Sequence, residues 1–348
     1  MTDVKVPHHV AGIGRLGTAA AWISAVCCLP YLALKLLWTI DVPVGISDRS
    51  VFDESGWAAG NALMAVIQLV GLVLVLALTR PWARRVPAWL LLFPAWVGTG
   101  ILFQVAVGAL LVGLLSPPSQ ASGSTDFGGI RPWVFVVVYS AFAGQGAALA
   151  IAFACHVRAR WGWLLGARTS EVLASRTAPP RWWPEHHLAQ MAEAAAAMTA
   201  VVALVCFYWA VGGSLGLSGA QQQPSAGMQA ARLVGAVTAG VGLLALAGRW
   251  GRHRRFWLPA ALTWLGSGAM VAFDGLLLVV NKSFLAFGTN ASEQGWTPTD
   301  TLVMVKVLIG LLAAAVGAVA VIAAAKDHQI GSFPEAFSAA GRRLGTPH

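Results

Sequence analysis

Apolar residues in this chain gather into eight long runs, near 17–40, 58–79, 87–115, 132–156, 192–216, 228–248, 257–281 and 301–325, parted by shorter polar stretches. Each run reaches about 20 residues, the length an α-helix needs to cross a hydrocarbon layer of roughly 30 Å. Backbone polar groups cannot go unpaired in lipid, and no run shows the alternation of a barrel strand, so the pattern predicts helices throughout. The expected fold is an all-α polytopic membrane protein with eight transmembrane helices.

Composition agrees with that pattern. The 348 residues are 57% hydrophobic and only 11% charged, against about a quarter charged in soluble domains. Positive residues are retained in the cytoplasm, and the stretches 1–16, 80–86, 157–190, 249–256 and 326–348 hold 17 Lys or Arg, whereas 41–57, 116–131, 217–227 and 282–300 hold 3. Both termini are therefore expected on the cytoplasmic side of the cell membrane. The net charge of +9 reads as topology plus attraction to anionic headgroups, which makes the lipid bilayer the partner and leaves no role for nucleic acid. The first run is too long for the apolar region of a cleaved signal and is expected to remain as a helix. Cys27, Cys28, Cys155 and Cys206 all lie within runs and suggest neither disulfide nor metal knuckle. His156 with His186 and His187 reads as headgroup contact, so neither a metal nor a cofactor is expected.

The chain also resembles itself. Trp82, Arg84, Trp89, Trp96, Gly98 and Gly100 recur 168 residues later as Trp250, Arg252, Trp257, Trp264, Gly266 and Gly268. At an offset of 171, Trp38, Gly45 and Ser47 match Trp209, Gly216 and Ser218. Duplication explains both. Four helices per unit is an even number, so the two copies should enter from the same side as a parallel 4+4 internal repeat. The expected organisation is a first four-helix repeat over 1–156, a cytoplasmic linker over 157–191, a second repeat over 192–325 and a loosely ordered cytoplasmic tail over 326–348, with a short surface helix near Thr169–Arg176.

Function is expected where the copies differ. Lys35, Asp274 and Lys306 are charged, unmatched and roughly 9–10 Å below the outer surface at 1.5 Å per residue, so they could meet at one level. A lysine stem lets its ammonium reach the headgroups. Asp has no such stem, and an intramembrane carboxylate normally faces a partner in the bundle interior. Asp274 and Lys306 are expected to pair. Gln104, unmatched and flanked by Gly100 and Gly108, joins these three as a candidate catalytic group, with interhelical hydrogen bonding as the structural alternative. The first outer loop carries Asp41, Asp48, Asp53 and Glu54. Asp53 and Glu54 could form an acidic mouth for substrate, or could be merely solvated.

No sequence signature of a soluble-type catalytic site occurs in a suitable context. The size, helix-only architecture and Ala-, Gly- and Trp-rich composition of the whole chain resemble the bacterial integral-membrane terpene cyclases of the drimentine type. That resemblance rests on no motif and assigns no residue, but it implies a proton-initiated enzyme acting on a lipophilic prenylated small molecule. Asp274 would then be the acid, and Trp38, Trp96, Trp209 and Trp264 would line the cation's cavity. A small-solute or ion transporter built on a parallel duplicated bundle is the alternative, and an accessory membrane subunit a third. A homo-oligomer is left open.

Overall fold

The computed structural model describes residues 8–53, 57–77, 88–115, 129–174, 185–217, 225–275 and 298–343. Helices dominate: α1 (His8–Thr39), α2 (Trp57–Ala77), α3 (Ala88–Leu115), α4 (Pro132–Gly166), the short α5 (Thr169–Ala174), α6 (Glu185–Ala210), α7 (Ala226–Leu246), α8 (Trp257–Gly268) and α9 (Pro298–Arg343). A 3-10 turn, Arg49–Asp53, lies before α2, and a π-turn, Ala269–Phe273, continues α8. Among the described residues extended pairing is limited to two isolated bridges, Ile46 with Ile130 and Arg168 with Arg255. Among the described residues seven helices are long and apolar enough to cross a membrane, as in a multi-pass membrane protein. The remaining apolar run holds a shorter apolar helix, Trp257–Phe273, and its residues 276–281 lie outside the described residues.

Two helices run on past their expected ends. α4 continues ten residues beyond 156, taking up the start of the expected linker, because Arg158–Leu165 carries no helix breaker other than Gly162. α9 continues to Arg343, into the stretch expected to be loosely ordered, and runs through Gly331, Pro334 and Gly341, while 344–348 lie outside the described residues.

Packing divides into two groups that meet through α3. α1 packs on α2 and α4, while α7 packs on α6 and α8, and α9 lies against α6 and α8. α3 joins them by contacting α4 on one side and α7, α8 and the π-turn on the other. Lipid tails offer no hydrophobic contrast to leucine, so close packing through small residues must hold helices together. A Cβ on Gly266 would strike the Ala239 backbone, and one on Gly100 the backbone of Gly268. α5 is stitched to the loop before α8. Thr169 N and Oγ1 donate to the Arg254 carbonyl at 2.8 and 3.0 Å, and Phe256 N donates to the Ala167 carbonyl at 2.9 Å.

The turns after α1 and α6 are built alike. Trp38 Nε1 donates to the Val44 carbonyl at 2.9 Å, and Trp209 Nε1 to the Leu215 carbonyl at 3.0 Å, each six residues ahead. Gly45 and Gly216, each following its acceptor, both take a left-handed φ, of 74° and 84°, which a residue without Cβ adopts at no steric cost.

Candidate functional site

The site starts from a break in helical regularity. α8 widens into the π-turn over Ala269–Phe273 immediately before Asp274. A π-turn shifts hydrogen bonding to i→i+5 and re-aims the residues that follow it, a feature common at functional positions. Asp274 emerges pointing into the bundle, 4% exposed as a residue. There its carboxylate meets two cations. Arg232 on α7 donates to Asp274 Oδ1 through Nε at 3.0 Å and Nη2 at 2.8 Å, and Lys306 on α9 pairs with Oδ2. The expected pairing of Asp274 with Lys306 is present.

Arg232 escaped the sequence reading because it sits inside a run counted as apolar. The available signal was its depth. It lies six residues beyond Ala226, where α7 starts, and so about 9 Å in from that end of the helix at 1.5 Å per residue. That matches the depth inferred for Asp274 and Lys306.

Two buried amides flank the charges. Gln229, fully buried, lies three residues before Arg232 on the same face of α7. Neither its Nε2 nor its Oε1 has a hydrogen-bond partner among the described residues. Gln104 on α3 is 2% exposed, and its Nε2 is likewise unpartnered. A Cβ placed on Gly235, one turn inward of Arg232, would lie 3.3 Å from Gln104 Oε1 and 3.2 Å from Ala269 Cβ. Gln104 therefore packs where α3, α7 and the π-turn converge.

Comparison with protein-family models, curated proteins and solved structures gives no match.

The other sequence candidates are placed elsewhere. Lys35 bonds Asn61 Oδ1 on α2 at 2.8 Å, with its ammonium 4.7 Å from the Trp38 ring centre and 5.2 Å from that of Tyr31. Its recorded partners thus belong to α1 and α2, and the triad forms without it. The four tryptophans act through their N–H groups. Trp96 Nε1 on α3 donates to the Trp264 carbonyl and to Ser267 Oγ, both at 3.1 Å, and Trp264 Nε1 on α8 donates to Thr99 Oγ1 at 2.9 Å. Thr99 and Ser267 are themselves 168 residues apart, so the two indoles make a reciprocal pair of bonds across the Gly100–Gly268 crossing. Trp264 also stacks on Phe153 at 5.1 Å. These indoles clamp turns and a helix crossing, which accounts for them without a shared cavity.

Asp53 lines an open depression of about 420 Å³ with Asp41, Arg49, Ser50 and Phe52, while Glu54 lies outside the described residues. Beside it Asp48 Oδ1 accepts the Ser50 backbone N–H at 2.9 Å, which holds the Asp48 carboxyl below its ordinary range. Among the described residues no three His, Cys, Asp or Glu side chains converge as a metal would require.

Proposed function

We propose that the protein is a membrane transporter for a small charged solute, built as a parallel 4+4 repeat of eight spans with both termini in the cytoplasm. The observation that carries this reading is the Arg232–Asp274–Lys306 triad, a set of charges enclosed by helices directly after a π-turn. Ionisable groups at membrane depth are costly and mark substrate or ion pathways. Irregular helices lining such groups are characteristic of transporter binding sites.

The repeat is supported by the reciprocal Trp96–Ser267 and Trp264–Thr99 bonds and by the matched turns after α1 and α6. A two-fold axis along the membrane normal would pass near the Gly100–Gly268 crossing. Rocking of the halves about that crossing is the motion this reading requires.

The cyclase expectation is less favoured by this geometry. An alkene-protonating acid must present an oxygen to its substrate, but both Asp274 oxygens are engaged by cations. The deciding experiment places purified protein in liposomes and records charge movement on solid-supported membranes for a panel of small ions. Saturable currents that fall in Lys306→Met support the reading. It is overturned if folded protein moves no solute while membranes containing it convert a linear prenylated compound into an isomer of unchanged mass.

A further inference from the structure

We infer that the solute is a small planar monovalent oxyanion, such as a carboxylate or nitrate, held by Arg232 and Lys306 on the side of the triad away from Asp274. This rests on the transport reading for its role but on separate observations for its chemistry. The first is charge. Two cations share one carboxylate, leaving one positive charge in excess among helices where an uncompensated charge costs several kcal/mol. The next described acid on α9, Asp300, is six residues before Lys306, about 9 Å along the axis at 1.5 Å per residue. One further anion would balance the cluster.

The second observation is donors. A guanidinium and an ammonium carry more N–H groups than one carboxylate accepts. Arg232 spends Nε and Nη2 on a single oxygen of Asp274, leaving its Nη1 side for another acceptor. Two further donors lack partners nearby: Gln229 Nε2, one turn before Arg232 on α7, and Gln104 Nε2 on α3, whose side chain packs at Gly235 one turn after Arg232. Every surplus group here is a donor except Gln229 Oε1, which can turn toward the guanidinium. A ligand that only accepts hydrogen bonds satisfies this set, whereas a cation would add charge to a site already in excess. Planarity follows from the guanidinium edge, which matches two oxygens of one group.

The third is access. The Arg232 side chain keeps 20% of its surface and Lys306 11%, but Asp274 only 2%. What the triad leaves exposed is thus its cations rather than its carboxylate.

An anionic lipid headgroup shares the oxyanion chemistry, so the test separates the two sources. Full-length protein in an uncharged detergent is titrated at constant ionic strength with sodium acetate or nitrate against chloride, and its thermal midpoint and tryptophan fluorescence are followed. Saturable stabilisation by acetate or nitrate beyond that by chloride is expected. Gln229→Leu keeps every charge and should weaken binding roughly tenfold, the worth of a hydrogen bond to a charged group. Arg232→Lys should weaken planar oxyanions more than chloride. Equal responses to chloride and acetate, or unchanged affinity in Gln229→Leu, would overturn the inference, as would stabilisation by phosphatidylglycerol alone. Binding without flux in liposomes would uphold the oxyanion site and end the transport reading. Cation flux without oxyanion binding would do the reverse.

Discussion

Asp274→Asn should damage the folded protein far more than Lys306→Met, although each removes one side of the same ion pair. The asymmetry comes from the count of charges. Asn leaves two cations enclosed with no carboxylate between them, and an uncompensated buried charge costs about 3–5 kcal/mol. Met leaves the Arg232–Asp274 pair neutral and fills the lysine's volume with an unbranched apolar chain, so it avoids the uncompensated buried charge that makes the loss of one partner costly. At roughly 2–4 °C per kcal/mol for chains of 150–250 residues, the Asn variant should lose on the order of 10 °C and the Met variant about 2 °C. Thermal midpoints can be read in detergent by size-exclusion chromatography of heated samples, with chloride as the sole buffer anion. Equal losses, or a larger loss for Lys306→Met, would mean that the positive charge is not in excess, and the argument from charge balance would fail.

The Gly100–Gly268 crossing leaves no room for a methyl group, so Gly100→Ala should cost about 1–3 kcal/mol. Gly98→Ala, whose Cβ would meet only Leu149 Cδ2 at 3.8 Å, should keep wild-type stability. A double-mutant cycle of Trp264→Phe with Thr99→Ala should give a coupling of about 0.5–1.5 kcal/mol, and zero coupling would remove the indole bond from the account. For topology, cysteines introduced singly at 50 and 290 into a cysteine-free background should label with an impermeant reagent from outside, and those at 83 and 253 should not; the reverse pattern would invert the orientation. Because the Ser50 N–H lowers the Asp48 pKa, its contribution to the outer loop is present above the ordinary value of 3.8 and is lost as pH falls through the lower folded value. Proteolysis of that loop should therefore rise in strong acid, and Asp48→Asn, which keeps the acceptor, should abolish the dependence.

Helix positions were legible because a run of apolar residues long enough to span lipid has few alternatives to helix. What the runs could not convey was local register. The π-turn at Ala269–Phe273 has no signature in hydrophobic periodicity, yet it aims Asp274. The extension of α4 into 157–166 was likewise hidden, because Arg158 and Arg160 read as loop by charge although arginine is a good helix former. The tryptophans stand out in the sequence for their ring faces, but an indole also has an N–H to satisfy, and Trp38, Trp96, Trp209 and Trp264 each donate theirs to a carbonyl or hydroxyl oxygen.

One of the three charges, Arg232, is hidden in the sequence for a related reason. A run judged by average hydropathy absorbs one arginine, so Arg232 vanished into α7, and with it the knowledge that Asp274 has two cations. Under the duplication, the bonds that recur are those of the scaffold: the indole-capped turns and the indole clamps on the glycine crossing. The charges do not recur. At the offset of 171 that pairs the turns, Asn61 stands opposite Arg232 and Lys35 opposite Cys206, and the first half resolves its own cation by a bond within α1 and α2. The triad is also adjacent to the crossing. Gln104 is one turn beyond Gly100 on α3, and Ala269, which opens the π-turn, directly follows Gly268 on α8. On the proposed transport reading, a ligand drawing on Gln104 and on the Asp274 pair would pull on both helices beside the contact about which the halves would pivot, which is the coupling between occupancy and motion that a transporter requires.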